Sequence, residues 1–149
     1  LYDDIIPFAK EIKKMEFDIK IDTNGYNPLI LEKIIEQNAV DFVSMDIKSQ
    51  LTEENYSKAA GINVDLSKIK KSIEILLQGK VDYEFRTTAI LNYVSPDDLI
   101  QIGKHLKNPD QYSIQQANVN WNKFKGIPEN KLKDVVDQLR NMGINATLK

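Results

Sequence analysis

Phe17-Asp18-Ile19-Lys20-Ile21-Asp22-Thr23-Asn24-Gly25, followed by Tyr26-Asn27-Pro28, is the stretch that decides the fold. Apolar residues alternate from Phe17 to Ile21, the period of a half-buried strand. Asp22-Thr23-Asn24-Gly25 has turn composition, and Asn27-Pro28 opens a helix, Asn27 as cap and Pro28 at the first helical position. The arrangement recurs when the apolar run Val40-Asp41-Phe42-Val43-Ser44-Met45 ends in Asp46-Ile47-Lys48. Two strands therefore end on acids, and the second adds a lysine. As parallel neighbours they would bring Asp22, Asp46 and Lys48 to one edge of a sheet, where parallel α/β folds place their binding sites.

Upstream, Leu1 to Glu16 spaces Ile5, Phe8, Ala9, Ile12 and Met15 at helical intervals, with Asp3 and Asp4 early and Lys10, Lys13 and Lys14 late. Downstream of Pro28, the inner stripe is Leu31, Ile34 and Ile35, as far as Asn38. The polar segment from Ser49 to Gly61 reads as a loop excursion, in which Thr52 could cap a short helix that Gly61 would end. Asp65 caps a helix with Leu66, Ile69, Ile73, Leu76 and Leu77 inward, closed by Gly79. Tyr83 to Ile90 reads as a strand interrupted by Arg86, and Ser95-Pro96-Asp97-Asp98 starts a helix with Leu99, Ile102 and Leu106 inside. Tyr112 to Ala117 is a strand, and Asn118 to Pro128 a loop packed down by Trp121 and Phe124. Glu129 to Met142 is a helix using Leu132, Val135, Val136, Leu139 and Met142, and Ile144 to Leu148 is a last strand.

The order α-βα-β(α)α-βα-βα-β predicts an α/β fold, a partial (β/α) barrel of about five parallel strands with crossover helices. Each crossover helix joins two strands, so a leading helix with no strand before it predicts that N-terminal units are missing. An independent α/β domain with an extra N-terminal helix is the alternative.

The 149 residues are the size of one domain, 1–149, and no second domain is expected. With 20 Lys+Arg against 22 Asp+Glu the formal charge is -2, which gives no field for nucleic acid or an anionic membrane. Hydrophobic residues at 42% and charged ones at 28% fit a soluble protein, no apolar run reaches transmembrane length, and a cytoplasmic location is the default. Zero Cys excludes disulfides and thiolate metal sites within the chain, and one His leaves carboxylates as the plentiful metal ligands.

Four strand ends carry polar groups: Asp22-Thr23-Asn24-Gly25, Asp46-Ile47-Lys48, Glu84-Phe85-Arg86-Thr87-Thr88 and Gln115-Gln116. Glu84, Arg86 and Thr88 share one face by alternation. An arginine in such a strand either clamps a carboxylate or phosphate, or pairs with Glu84 or a strand-end acid. Taken alone, Asp22 reads as a turn residue, and Asp46 with Lys48 as a local pair. Together, two acids, a lysine and an arginine can hold a zwitterionic ligand, the acids meeting an ammonium or cation and the bases a carboxylate. No nucleophile-base pair is visible, so no catalytic residue is assigned. His105 and the Lys68, Lys70 and Lys71 group read as structural or solvated, and Trp121 to Lys125 as a loop or a partner contact.

These motifs, Ile21 to Gly25 with Asn27-Pro28, Val40 to Lys48, Val81 to Thr88 and Tyr112 to Gln116, resemble the later core of radical S-adenosylmethionine (SAM) enzymes. The branch they are most similar to is the glycyl-radical-enzyme activases: anaerobic ribonucleoside-triphosphate reductase activating proteins and pyruvate formate-lyase activating enzymes. The resemblance covers roughly Phe17 to Asn118. It implies an oxidoreductase with a [4Fe-4S] cluster that cleaves SAM reductively, the 5'-deoxyadenosyl radical taking a glycine hydrogen from a partner glycyl radical enzyme. It also implies an electron donor such as flavodoxin or ferredoxin. Carried over by position, the cofactor-binding residues are Asp22, Thr23, Asn24, Asp46, Lys48, Arg86 and Gln116, with Gln115 beside the last. Asp22 and Asp46 are the candidate ligands of a monovalent cation. The family's Cys-x3-Cys-x2-Cys loop and its Gly-Gly-Glu stretch are absent, and a chain without Cys cannot ligate the cluster. The expectation is the C-terminal part of an activase, inactive alone; the alternative is a non-catalytic α/β module that binds a ligand or partner through the same polar edge.

Overall fold

The computed structural model describes residues 4–106, 109, 111–117 and 124–149. Its elements follow the expected order: α1 (Ile5–Lys13), β1 (Lys20–Thr23), α2 (Pro28–Glu36), β2 (Phe42–Asp46), α3 (Glu53–Ala60), α4 (Leu66–Leu76), β3 (Asp82–Ala89), α5 (Pro96–His105), β4 (Tyr112–Gln116), α6 (Glu129–Asn141) and β5 (Ala146–Leu148). The strands form one sheet in the order β1-β2-β3-β4-β5, and β1 with β2, β3 with β4 and β4 with β5 pair in parallel. This is the parallel α/β sheet with crossover helices that the alternation predicts. Among the described residues no helix is long and apolar enough to cross a membrane.

Local signals set the helix boundaries. Asn27 Oδ1 accepts from the Ile30 N–H at 3.3 Å with Pro28 at the first position, Thr52 caps α3, and Ser95 and Asp98 form a reciprocal capping box on α5. The sheet's ends shift by a few residues, β1 starting at Lys20 rather than Phe17 and β5 at Ala146 rather than Ile144. Trp121 lies outside the described residues. Phe124 tilts against Tyr93, ring centroids 5.7 Å apart.

The chain divides into two compact units. The first, residues 1–46 and 67–83, contains α1, β1, α2, β2 and most of α4. Ile30, Leu31, Ile34 and Ile35 of α2, Val43 and Met45 of β2, and Ile69, Ile73 and Leu76 of α4 form its core. The expected inner stripe of α1 is corrected: Ile6 and Ala9 are buried, whereas Phe8 and Met15 are 62% and 66% exposed. Beside the buried Ile6 and Ala9, Lys10 Nζ reaches Gln37 Oε1 at 2.5 Å and Lys13 pairs with Asp41.

Asp41 is a joint in this unit. Its carboxylate takes the Lys13 ammonium and also accepts from the Ile19 N–H at 2.7 Å. The Lys13 hydrogen bond, then the Ile19 N–H, hold its pKa below the ordinary 3.8. A carboxyl with a depressed folded-state pKa contributes stability that is complete above the unfolded value and is lost as pH falls through the folded one. Asp41→Asn should therefore cost about 1 kcal/mol at pH 7, since both groups are partly solvated. Urea unfolding repeated below pH 3.8 should show the difference from wild type shrinking; a difference that grows on acidification would contradict the assignment.

The second unit, residues 47–66 and 84–149, contains α3, most of β3, α5, β4, α6 and β5. Phe85, Tyr112, Ile114 and Ala146 from the strands, Leu99 and Ile102 of α5 and Leu132, Val135 and Leu139 of α6 are all buried and make up its core. The Tyr112 hydroxyl donates to Thr87 Oγ1 at 3.0 Å, and burial pushes its pKa up, so the phenol stays neutral. Met142, expected inside, is 48% exposed at the C-cap of α6, which ends at Asn141.

Candidate functional site

In the first unit the acids stand on the β1–β2 ladder. Asp22 is the register partner of Ser44, and Asp46 lies two residues beyond Ser44, so the three share one face. Lys20 and Phe42 precede them on that face, the Lys20 ammonium 5.4 Å from the ring centroid. Ile21, Thr23, Val43 and Met45 occupy the buried opposite face.

Beyond Thr23 the chain turns. Thr23 Oγ1 accepts from the Gly25 N–H at 3.1 Å, and Asn24 Oδ1 from the Tyr26 N–H at 3.1 Å. Thr23 and Asn24 thus perform turn chemistry, while Asp22 remains on the strand face. Gly25 has φ +73°, and a Cβ there would lie 2.0 Å from Met45 Cε. Ser72 of α4 closes the turn, its hydroxyl donating to the Gly25 carbonyl at 2.7 Å.

The bases belong to the second unit. The Ile47 N–H donates to the Arg86 carbonyl at 2.8 Å, which sets the exposed Lys48 one residue past an anchor on β3. Arg86 is half-buried and pairs in register with Ser113, and Thr88 with Gln115, so Glu84, Arg86, Thr88, Ser113 and Gln115 lie on one face. Thr88 Oγ1 and Gln115 Oε1 are 3.4 Å apart. Gln116 pairs with Ala89 and falls on the other face, where it lines a cleft of about 580 Å³ with Leu148, Lys149 and Lys133, Val136 and Arg140 of α6. The register therefore joins Gln115, not Gln116, to Arg86.

Glu84 is buried, accepting from the Ser113 hydroxyl at 2.8 Å and from Lys149 Nζ at 2.5 Å. Ser113 also meets Thr147 Oγ1 at 3.3 Å and Gln111 Nε2 at 3.1 Å, extending the network across β4 and β5. His105 is exposed, its Nδ1 2.8 Å from the Gln101 carbonyl. Lys68 covers the Tyr26 ring at 4.5 Å, and Lys70 and Lys71 face solvent. Among the described residues no group of three or more His, Asp or Glu side chains could enclose a metal ion.

The chain is 31% identical over 143 residues to the "Putative glycyl-radical enzyme activating enzyme" of Methanocaldococcus jannaschii, a match covering 89% of this chain and 59% of that protein. The chain is a homologue of that protein. It spans about three fifths of the relative's length. Among solved structures, a domain of the pyruvate-formate lyase-activating enzyme from Bacteroides vulgatus superposes with a TM-score of 0.77 at 14% identity, covering 97% of this chain and 89% of that one. A radical SAM methyltransferase from Sphaerobacter thermophilus gives 0.71 at 16% identity over 91% of this chain and 42% of that one. At these identities the structures establish the shared fold. No protein-family model matches the chain.

Sequence reasoning missed Ser72 and Lys149. Ser72 left one signal, a lone polar residue in the stripe Ile69-Ser72-Ile73-Leu76, where a hydroxyl is out of place unless it has a partner. Lys149 left none, since its partner Glu84 lies 65 positions away.

Proposed function

We propose that this chain is the SAM-binding, cluster-free part of a radical SAM activating enzyme that generates a glycyl radical on a partner enzyme. The observation that carries the reading is the 31% identity across 89% of the chain to a protein named as a glycyl-radical enzyme activating enzyme. The donor set divides in its chemistry. A chain with no Cys does not fit a [4Fe-4S] cluster, whose ligands must come from elsewhere in the functional enzyme. The residues present do suit the amino-acid end of SAM, which would supply the 5'-deoxyadenosyl group. Asp22 and Asp46, on one face, meet the ammonium or a monovalent cation, with Thr23 and Asn24 shaping the turn beside them. Lys48 and Arg86, both in the second unit, have the chemistry to meet a carboxylate. Gln115 is better disposed than Gln116 to join Arg86, by the register of β3 and β4. The activated partner is a glycyl radical enzyme of the anaerobic ribonucleotide reductase or pyruvate formate-lyase type, with a flavodoxin- or ferredoxin-like electron donor.

Anaerobic reconstitution with iron and sulfide tests this. The 149-residue chain should bind SAM without producing 5'-deoxyadenosine, whereas the product of the gene extended upstream of Leu1 should produce it. An upstream sequence without a three-Cys loop would overturn the reading and leave a ligand-binding module. Asp22→Asn and Asp46→Asn should each weaken SAM binding by about tenfold or more, as expected for loss of a charge-assisted contact.

A further inference from the structure

Helix α4 contributes one buried polar side chain to the first unit, and it is aimed at the turn that follows Asp22. Leu66, Ile69, Ile73 and Leu76 form an apolar stripe, within which Ser72 is wholly buried. A hydroxyl in such a place is costly unless it is hydrogen-bonded. Ser72 Oγ donates to the Gly25 carbonyl at 2.7 Å, across 47 positions of sequence. Its small size matters too, because a Cβ on Gly25 would sit 3.4 Å from Ser72 Cβ, so the turn lies directly on the helix. The Gly25 N–H is meanwhile held by Thr23 Oγ1, and the Met45 side chain lies over the residue. Both peptide groups flanking Gly25 are thus fixed by hydroxyls, one from the strand end and one from α4.

We infer that Ser72 is a positioning residue: its hydroxyl fixes the Thr23-Asn24-Gly25 turn and thereby sets the end of β1 at which Asp22 receives a cationic ligand group. This rests on the proposed SAM-binding role of Asp22. Removing the hydroxyl leaves the Gly25 carbonyl buried without this donor and lets the turn move, while α4 keeps its apolar stripe.

The test is NMR titration of the ¹⁵N-labelled 149-residue chain with SAM in potassium chloride, together with amide hydrogen exchange. Ser72→Ala should raise the SAM dissociation constant about tenfold and speed exchange at Gly25. Ser72→Cys, close to serine in size but a poor hydrogen-bond donor, should behave as Ser72→Ala does. Ser57→Ala, which removes the acceptor of the Val64 N–H in the other unit, should leave affinity unchanged and controls for lost stability. Wild-type affinity in Ser72→Ala, or equal losses in Ser72→Ala and Ser57→Ala, would overturn the inference. Failure of the wild-type chain to bind SAM would instead overturn the functional reading on which it rests, and unchanged exchange at Gly25 in Ser72→Ala would overturn the positioning of the turn by itself.

Discussion

Gly25→Ala is expected to lower the unfolding free energy by about 2–4 kcal/mol, combining two costs. The first is a left-handed backbone, φ +73°, which an L side chain adopts with strain. The second is a clash, since the new methyl would lie 2.0 Å from Met45 Cε and 3.0 Å from its Sδ, inside a packed core. Gly61→Ala separates them: Gly61 has φ +72° and nothing within 4 Å, so it should lose only the backbone share, about 1 kcal/mol. Urea unfolding at matched m-values measures both. Equal losses at the two positions would show that Met45 does not press on the turn.

Lys149→Met is expected to cost about 2 kcal/mol, less than for a fully buried pair because the lysine side chain is 47% exposed. What remains would be a carboxylate at 3% exposure, still accepting from Ser113 and keeping its other partners but without the Lys149 ammonium. A charge so placed is the expensive remnant, not the lost contact itself. Combining Lys149→Met with Glu84→Gln should therefore recover most of the loss, since a neutral amide still accepts from Ser113. Thermal unfolding of the two single variants and the double variant decides it. Additive losses would mean that Glu84 is compensated by other neighbours.

The cation–carboxylate pair and the Gly25 turn illustrate different degrees of legibility. Asp-Thr-Asn-Gly announces a turn because its hydrogen bonds close within two residues, Thr23 to Gly25 and Asn24 to Tyr26. That Ser72 would grip the same turn from α4 depends on how a helix packs, a sum over many side chains. The acids at Asp22 and Asp46 were legible as a pair at one edge of the sheet because both close strands that a helical crossover makes parallel neighbours; that they share a face came from the register of β1 and β2. The glutamines were not. Gln115 and Gln116 are adjacent, so a register one residue different would exchange their faces, and only the pairing of β4 with β3 assigns them.

The caps of α2, α3 and α5, the alternation of helices and strands and the lack of cluster ligands were determined by the sequence alone. Capping and periodicity act over three or four residues, and the absence of Cys is a matter of composition. Tertiary structure decided which face of α1 is buried, with Ile6 and Ala9 inside and Phe8 outside. It also decided that Glu84 meets Lys149, and that Gly25 is held by Ser72. These contacts join residues 65 and 47 positions apart. Their energies depend on where the backbone has already been brought by the burial of its apolar faces, and that information is not local to any stretch of chain.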